Sequence, residues 1–277
     1  MLMSENTIAI IQSVYKNDNA YYLKQAIDSI LYQSYNNIML YIGIDGPIGK
    51  DLNSVLSEYL NNAKIKILRY KENRGLASTL NDLLRELKTS DYQYIARMDA
   101  DDISTPDRFE KQISFLEAHQ NIDMIGGAIN EIDEEGNDRG KVTKYPCNPD
   151  DCRKFFAKRN PVAHPTVMFR RSFFDKAGWR YPTDYVRNED TRLWHEGYKH
   201  GCVIANIPDV VLNFRMTDSM FKNRRNGKAF AKSQLQLRKQ IKKELGYGFM
   251  AYVYAYATYL LMISPVWVKK IAYRLFR

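Results

Sequence analysis

The segment YQYIARMDADDISTPDRFEKQISFLEAH, residues 92–119, contains a short apolar run, three aspartates and a long amphipathic pattern. The run over residues 92–98 is rich in aromatic and aliphatic side chains, which predicts a strand. The pattern that follows the aspartates predicts a helix with Thr105 as its N-cap and Pro106 as its first residue. The three aspartates therefore lie in a loop that joins a strand to a helix.

Three more apolar runs precede this segment and predict three further strands, TIAIIQ at 7–12, IMLYIGI at 38–44 and IKILRY at 65–70. The sequence between the runs has the apolar spacing of amphipathic helices, as in YYLKQAIDSILYQS. Strands that alternate with helices indicate βαβ units, in which helical crossovers join parallel strands. We therefore predict an α/β fold with a Rossmann-like, mostly parallel central sheet flanked by helices.

The chain after residue 119 predicts a second set of elements. Residues 124–145 have the pattern of a hairpin that turns at EEGND, and Gly126 and Gly127 predict a bulge or a close backbone approach in its first strand. HPTVMFR predicts a strand, SFFDKAGW a short helix and NEDTRLWHEGYKHG a longer helix. The first turn of that longer helix carries Glu189 and Asp190.

The positive charge of the chain is concentrated at its C-terminus. The net charge is +9, yet residues 222–277 hold 13 Lys and Arg against one acid, which leaves −3 on residues 1–221. A basic segment beside the uncharged run FMAYVYAYATYLLMISPVWV, residues 249–268, suits an anionic membrane surface better than a nucleic acid. The run is long enough to span a bilayer, but its tyrosines and flanking lysines favour a helix in the membrane plane. A helical cap packed on the domain is the third alternative.

The compartment is predicted from the N-terminus and the cysteines. MLMSENTIAII has a glutamate where a signal peptide carries Lys or Arg, so we expect no secretion signal. Three cysteines without paired spacing argue against a disulfide scaffold and a zinc ribbon, and they favour a reducing cytoplasm.

Asp99, Asp101 and Asp102 follow the fourth predicted strand, at the edge where ligands of such sheets bind. Like charges at short range repel unless a cation lies between them, and Mg²⁺ or Mn²⁺ prefers carboxylate oxygens together with water and phosphate. The cluster therefore predicts a divalent metal site and a substrate that carries phosphate. The alternative is that the acids only open the loop before a helix, whose N-terminus favours negative charge.

Five segments, in order, resemble the motifs of family 2 glycosyltransferases with the GT-A fold: SVYKNDNAYYLKQAIDSILYQSYNNIMLYIGIDGP, ENRGLASTLND, YIARMDADDISTPDRFEKQISFLE, NPVAHPTVMFRRS and NEDTRLW. The sequence is most similar to the branch that builds bacterial exopolysaccharide, capsule and O-antigen repeat units. The resemblance covers about residues 7–226. It implies a metal-dependent, inverting transfer of a hexose from a UDP-sugar to a hydroxyl group, with Mn²⁺ or Mg²⁺ as the cofactor.

The resemblance also assigns a nucleotide site. It implies that Ser13, Val14, Tyr15 and Asp45 hold the uracil, with Arg74 near the base or the phosphates.

For the acids, the resemblance implies that Asp99 contacts the ribose side and that Asp101 ligates the metal. Asp102 is either a further metal ligand or an acid that supports the loop and the helix terminus. Asp190 matches the base that takes the acceptor proton, and Glu189 beside it is the alternative.

His164 matches a family position near the acceptor or the metal, or it is a structural residue of a strand edge. Trp194 is a core residue or an acceptor platform. His195 and His200 are five residues apart, which is the wrong spacing for one helix face, and we interpret both as surface residues.

One departure from the family pattern concerns the third metal ligand. Many relatives carry a histidine where Thr217 stands, two residues after Arg215. Either the metal relies on Asp101 with phosphates and water, or Arg215, Arg224 and Arg225 clamp the diphosphate from a mobile loop. These arginines are otherwise solvated or lipid-facing charges.

The resemblance predicts a catalytic domain over residues 1–221, with a nucleotide-sugar half to about residue 102 and an acceptor half beyond it, and a tail over 222–277. The implied acceptor is an undecaprenyl-diphosphate-linked saccharide, reached from the cytoplasmic face of the membrane by a peripheral enzyme that binds no nucleic acid. Two alternatives are a phosphatase of the haloacid dehalogenase type, whose first aspartate is a nucleophile, and a basic protein that binds membranes or nucleic acid.

Overall fold

The computed structural model describes residues 7–184, 188–217, 228–265 and 268. Within these residues, nine strands form one sheet of order β3-β2-β1-β4-β8-β6-β9-β5, and β7 pairs with β6. The strands are β1 Ile8–Val14, β2 Ile38–Ile44, β3 Ile65–Arg69, β4 Tyr94–Met98, β5 Ile103–Ser104, β6 Met124–Ile132, β7 Asp138–Thr143, β8 Met168–Arg170 and β9 Ile204–Arg215. The helices are α1 Ala20–Leu31, α2 Lys50–Ser57, α3 Leu76–Lys88, α4 Arg108–Ala118, α5 Pro149–Phe156, α6 Arg171–Ala177, α7 Glu189–Lys199, α8 Lys228–Leu245 and α9 Met250–Ile263, with a 3₁₀ turn at His164–Thr166.

The first half of the sheet has the predicted parallel arrangement. β1 pairs in parallel with β2 and β4, and β2 pairs in parallel with β3. β1 and β4 are almost wholly buried because helices cover both faces, which explains their nearly continuous apolar sequences. The second half is mixed, since β8 runs antiparallel to β4 and β6. The predicted α/β sheet is confirmed: the β3-β2-β1-β4 half is wholly parallel, and in the other half β6 and β9 also pair in parallel.

The strand register brings the polar residues after three strands to one edge. Val14 of β1 lies opposite Ile44 of β2, and Gln12 of β1 lies opposite Met98 of β4. The residues that follow these strands therefore share the carboxyl edge, where loops converge in parallel sheets.

The predicted start of α4 is wrong by two residues. Thr105 is not its N-cap, because its backbone N–H donates to the carbonyl of Val211 at 3.1 Å and continues the short strand β5. The helix begins at Arg108, after a turn in which the Arg108 N–H donates to the Thr105 carbonyl. The pairing of β5 with β9 outweighs the local capping signal.

The glycines of β6 lie where other residues approach the backbone closely, as predicted. A Cβ atom at Gly126 would stand 2.4 Å from Val162 Cγ1, and one at Gly127 would stand 2.8 Å from the Val211 methyl groups. The register between β6 and β9 shifts at this point, and the predicted hairpin of β6 and β7 is present.

The C-terminal segment contains two helices with different surroundings. α8 buries Leu237 and Ile241 in the same cluster as Trp194 and Tyr198 of α7. α9 follows it and exposes large apolar side chains such as Phe249, which is 76 % exposed. In the described part of the chain, neither these nor the other helices combine the length and apolar character needed to cross a bilayer. The predicted boundary between residues 221 and 222 lies outside the described residues.

The interpretation of His195 as a surface residue is wrong, because α8 covers this face of α7 and buries the ring. The Arg192 guanidinium donates to Nδ1 at 2.9 Å, so Nε2 carries the proton and lies 3.4 Å from Glu244 Oε2 of α8. Burial lowers the pKa of His195 to about 4, so the ring is neutral at physiological pH. His200 is exposed, as predicted.

Replacement of the buried histidine is expected to change the pH dependence of stability. Between about pH 6.5 and pH 4 the unfolded chain protonates His195 while the folded chain does not, so the wild type loses stability as the pH falls. Relative to His195→Gln, the wild type should lose about 2 kcal/mol of unfolding free energy between pH 7.5 and pH 5. Urea unfolding at both pH values measures this, with the exposed His119→Gln as control. Equal losses in the wild type and His195→Gln would contradict the assignment.

Candidate functional site

Three carboxylates meet at the carboxyl end of β4. One ligand oxygen from each of Asp99, Asp101 and Asp102 lies within 4.8 Å of the others. Asp99 and Asp101 are partly buried and Asp102 is buried, so the cluster opens toward solvent on one side. Oxygen atoms at this spacing can surround a hard divalent cation that keeps water or phosphate as its other ligands.

The structure shows the supporting role that the sequence left open for Asp102, and its role as a metal ligand stays a prediction. It is 1 % exposed, and its Oδ1 accepts the backbone N–H of Arg215 at 2.9 Å, which ties the loop to β9. Its Oδ2 is buried and has no hydrogen-bond partner among the described residues. Burial raises the pKa of Asp102 well above its usual value, and the charges of Asp101 and Asp99 add to this. A buried carboxylate oxygen without a donor, beside two further carboxylates, fits a cation.

Asp99 is neutralised by an arginine of the same strand. Arg97 is 2 % exposed, and its two terminal nitrogens donate to the two oxygens of Asp99, one of them at 2.8 Å. Burial by itself would lower the pKa of Arg97, but the charge and hydrogen bonds of Asp99 outweigh it and raise the pKa. Gln12 of β1 holds the Asp99 carbonyl at 3.0 Å. Asp99 is therefore fixed in orientation, and its charge is largely balanced before a ligand arrives.

Arg215 is not available as a mobile clamp for a diphosphate, which corrects that expectation. It is buried at the last position of β9, and its guanidinium carbon lies 4.2 Å from the centre of the Tyr22 ring. Its side chain donates to the carbonyls of Asp101, Asp133 and Glu134 and to Gln25 Oε1, at 2.7 to 3.2 Å. This arginine therefore holds the aspartate loop, the β6–β7 turn and α1 together. Arg224 and Arg225 lie outside the described residues.

Asp45 organises the loops after β2 and before α3. Its carboxylate is 3 % exposed and accepts the backbone N–H groups of Arg74 at 2.7 Å and Gly75 at 2.9 Å. Gly75 has φ +87°, a conformation that favours glycine, and it precedes the first residue of α3. The Arg74 guanidinium pairs with Asp82 of α3. A nucleobase that contacts Asp45 has to bind to the oxygen lone pairs that the Arg74 and Gly75 N–H groups do not use.

The loop after β1 offers backbone groups more than side chains. Val14 is buried in the core, and Ser13 is partly buried. The Tyr15 N–H donates to Asp18 Oδ2 at 2.9 Å, which sets the direction of the loop before α1. At this edge Val14 therefore offers a nucleotide only its main-chain groups.

Glu189 and Asp190 occupy the first turn of α7. Asp190 Oδ2 accepts from Asn160 Nδ2 at 2.9 Å, and its Oδ1 accepts from the Thr191 N–H at 2.6 Å. Burial, with the charge of Asp190, raises the pKa of Glu189 to about 7. The charge of Arg97 lowers the pKa of Glu189 and that of Asp99 raises it, so the residues at the β4 end act electrostatically on this pair. One carboxylate is thus fixed in orientation, and the other exchanges a proton near neutral pH.

His164 lies in an aromatic cluster between the β4 end and α7. Its Nε2 lies 3.1 Å from the Tyr181 hydroxyl, and its ring meets the edge of Trp194 at 5.8 Å. Burial lowers the pKa of His164 well below its usual value, and the charge of Arg97 contributes. His164 is therefore a neutral group. Trp194 is fully buried against Phe169, so its indole is a core residue and offers no face to an acceptor.

Sequence reasoning missed three residues of this site. Tyr181 holds His164, Asn160 holds Asp190, and Arg238 of α8 bonds to Asn160. Asn160 begins the motif NPVAHPTVMFRRS, so its position gave a signal. Arg238 is one of many basic residues of the tail, and only the packing of α8 distinguishes it.

Removal of carboxylates from the cluster is expected to weaken metal binding. Asp101→Asn and Asp102→Asn should each weaken Mn²⁺ binding at least about tenfold, because each removes a charged oxygen from the site. Titration of free Mn²⁺ followed by electron paramagnetic resonance measures this without turnover. Asp107→Asn, which removes an acid five residues beyond Asp102 that pairs with Lys111, should bind as the wild type does. Wild-type affinity in both cluster variants would contradict the metal site.

Comparison with known proteins gives consistent matches. Residues 10–178 match the family model described as glycosyl transferase family 2. The chain is 33 % identical over 229 residues to the amylovoran biosynthesis glycosyltransferase AmsE of Erwinia amylovora, covering 83 % of each chain. It is 27 % identical over 236 residues to the UDP-Gal:alpha-D-GlcNAc-diphosphoundecaprenol beta-1,3-galactosyltransferase of Escherichia coli, covering 84 % of this chain and 83 % of the relative.

Among solved structures, S. aureus TarS 1–349 in complex with UDP-GlcNAc superposes with a TM-score of 0.66 at 12 % identity, covering 96 % of this chain and 83 % of that one. The Pyrobaculum calidifontis mannosyltransferase PcManGT, in complex with GDP-Man and Mn²⁺, gives 0.63 at 16 % identity, covering 98 % and 79 %. These similarities extend the fold over almost the whole chain. The chain belongs to glycosyl transferase family 2 and is a glycosyltransferase with the GT-A fold.

Proposed function

We propose that this enzyme transfers a hexose, with inversion, from a UDP-sugar to a hydroxyl group of an undecaprenyl-diphosphate-linked or growing polysaccharide acceptor in bacterial surface polysaccharide synthesis. One observation carries the proposal. A carboxylate cluster suited to a metal lies at the end of β4, and the charge of its Asp99 acts on a second pair of carboxylates at the start of α7. The E. coli relative, named for a UDP-Gal donor and a diphosphoundecaprenol acceptor, supports the choice of both substrates.

On the donor side, Asp101 and Asp102 would hold Mn²⁺ or Mg²⁺, and Arg97 turns Asp99 toward the ribose. A bound divalent cation neutralises the charge that develops on the departing diphosphate. Asp45 and the main chain of residues 13–15 line the side of the edge where the uracil would bind.

On the acceptor side, single displacement requires a base that faces the sugar from the side opposite the UDP. We assign this role to Asp190, because hydrogen bonds from Asn160 and from the Thr191 N–H hold its carboxylate in one orientation. Glu189 is the alternative, since a carboxyl group whose pKa lies at about 7 accepts a proton readily near neutral pH. His164 is neutral and would contribute a hydrogen bond to the acceptor rather than a charge.

The transferase proposal predicts metal-dependent UDP release. A panel of UDP-sugars with undecaprenyl-diphosphate-linked saccharides as acceptors, assayed with and without Mn²⁺, should give at least one active pair. Asp190→Asn should lower kcat of that pair at least about 100-fold and leave the KM for the donor nearly unchanged, because the base acts only in the chemical step. Glu196→Gln, on the same helix, is the control.

Glu189→Gln separates the two candidate bases. If Glu189 is the base, kcat of the wild type rises with pH through about 7 and Glu189→Gln abolishes activity. If Asp190 is the base, Glu189→Gln keeps the larger part of the rate. The proposed mechanism is wrong if no pair of donor and acceptor releases UDP. It is also wrong if Asp190→Asn and Glu189→Gln both keep full activity.

We further place the enzyme peripherally on the cytoplasmic face of the membrane, through the apolar face of α9. This face consists of five exposed side chains, Phe249, Met250, Val253, Tyr256 and Leu260. Three lysines stand over tyrosine rings of the same helix: Lys239 over Tyr256 at 4.7 Å, Lys242 over Tyr252 at 4.6 Å and Lys158 over Tyr254 at 4.8 Å. Apolar and aromatic side chains bordered by cations suit the interface of an anionic bilayer.

Charged residues on the apolar face of α9 are expected to release the protein from membranes. The full chain should float with vesicles that contain phosphatidylglycerol and much less with vesicles of phosphatidylcholine alone. The double variant Val253→Asp, Leu260→Asp should lose flotation, because burial of a charge in the interface is unfavourable. Leu60→Asp, at an exposed leucine beyond the end of α2, is the matched control. Unchanged flotation of the double variant would contradict this placement.

A further inference from the structure

Asn160 has charged neighbours on both sides of its amide. On one side, Asp190 Oδ2 lies 2.9 Å from Asn160 Nδ2. On the other, Arg238 Nη2 of α8 lies 3.1 Å from Asn160 Oδ1, which also accepts from the Thr191 hydroxyl at 3.0 Å. The amide of Asn160 therefore connects a guanidinium of the C-terminal segment to a carboxylate of the active site.

The charges of Arg238 and Asp190 allow the Asn160 amide only one orientation. A guanidinium only donates hydrogen bonds, so the oxygen of Asn160 has to face Arg238. A carboxylate only accepts, so the amide nitrogen has to face Asp190. Without the guanidinium, the Asn160 side chain loses its contact with α8, and only Asp190 and the Thr191 hydroxyl hold the amide in place.

Arg238 is itself fixed in place by α5. Its Nη1 donates to the Phe156 carbonyl at 2.8 Å, and its guanidinium carbon lies 5.3 Å from the Phe156 ring. Burial lowers the pKa of Arg238 to about 10, and the charge of Asp190 opposes this effect, so the group remains a cation at neutral pH.

α8 also holds Asn188, the residue that precedes Glu189 and Asp190. Gln234 Nε2 of α8 donates to Oδ1 of Asn188, the buried N-cap residue of α7. Gln234 and Arg238 are four residues apart, so they lie on one face of α8. Through this face, α8 contacts Asn188 directly before the two carboxylates and Asn160 beside Asp190.

We propose that Arg238 is a positioning residue of the active site, which acts through the Asn160 amide to hold the Asp190 carboxylate in the orientation that accepts the proton of the acceptor. The inference rests on the proposed role of Asp190 as the base. It assigns a catalytic task to α8, which lies beyond the residues that match the family model.

Steady-state kinetics of the full-length enzyme with its active donor and acceptor pair test this inference. Arg238→Met should lower kcat about 10- to 100-fold, because a small displacement of a catalytic group costs a factor of this size. The KM for the UDP-sugar and the affinity for Mn²⁺ and UDP should stay within about twofold of the wild type. Arg238→Lys should restore part of the rate, since an ammonium group can still donate to Asn160 Oδ1. Lys232→Gln, which removes an exposed charge from the same helix, is the control.

A second comparison separates positioning from packing. In an Asp190→Asn background, Arg238→Met should cause no further loss of the residual rate, because its effect passes through Asp190. Asn160→Leu should reproduce the effect of Arg238→Met, and it replaces Arg238→Met if that variant does not fold.

Three results would overturn the inference: an unchanged kcat in Arg238→Met, a loss of the same factor in the Asp190→Asn background, or a parallel loss of Mn²⁺ and UDP affinity. Failure of the base assignment gives a different result. In that case Asp190→Asn itself retains the wild-type rate, whatever the outcome for Arg238.

Discussion

The repulsion among three carboxylates at the end of β4 is the constraint around which the site is built. Asp99, Asp101 and Asp102 place oxygen atoms within 4.8 Å of one another in a partly buried loop. Arg97 balances one of the charges, and Arg215 holds the loop through its main-chain N–H and its guanidinium. These arginines leave part of the negative charge unbalanced, above all on the second oxygen of Asp102. A divalent cation can balance it.

The C-terminal helices give the fold a layer that the sequence motifs do not contain. α8 packs its apolar residues on α7, and this contact buries His195 and completes the burial of the core around Trp194. Its polar residues contact the N-cap of α7 and Asn160, which bonds to the candidate base. α9 continues from α8 with an apolar face exposed. One segment of the chain thus packs on α7 through α8 and exposes apolar side chains through α9.

Family membership excludes the phosphatase alternative, and the site gives a physical reason. A nucleophilic aspartate needs a free oxygen, whereas both oxygens of Asp99 accept hydrogen bonds from Arg97. A protein that only binds membranes or nucleic acid through its basic tail would leave the carboxylate cluster without a role. Part of the tail's charge also serves packing, as the contacts of Arg238 with Phe156 show.

The sequence by itself determined the alternation of strands and helices, the parallel half of the sheet and the position of the aspartates after β4, because these follow from local hydrophobic period and from the common edge of parallel strands. Only the tertiary structure decided that Arg215 is buried and links separate loops, that Thr105 extends a strand and that His195 is buried. In each case the partner is distant along the chain: Asp101 for Arg215, Val211 for Thr105 and α8 for His195. Local patterns carry no information about such contacts, since the energy of a buried polar side chain depends on which groups the folded chain brings against it.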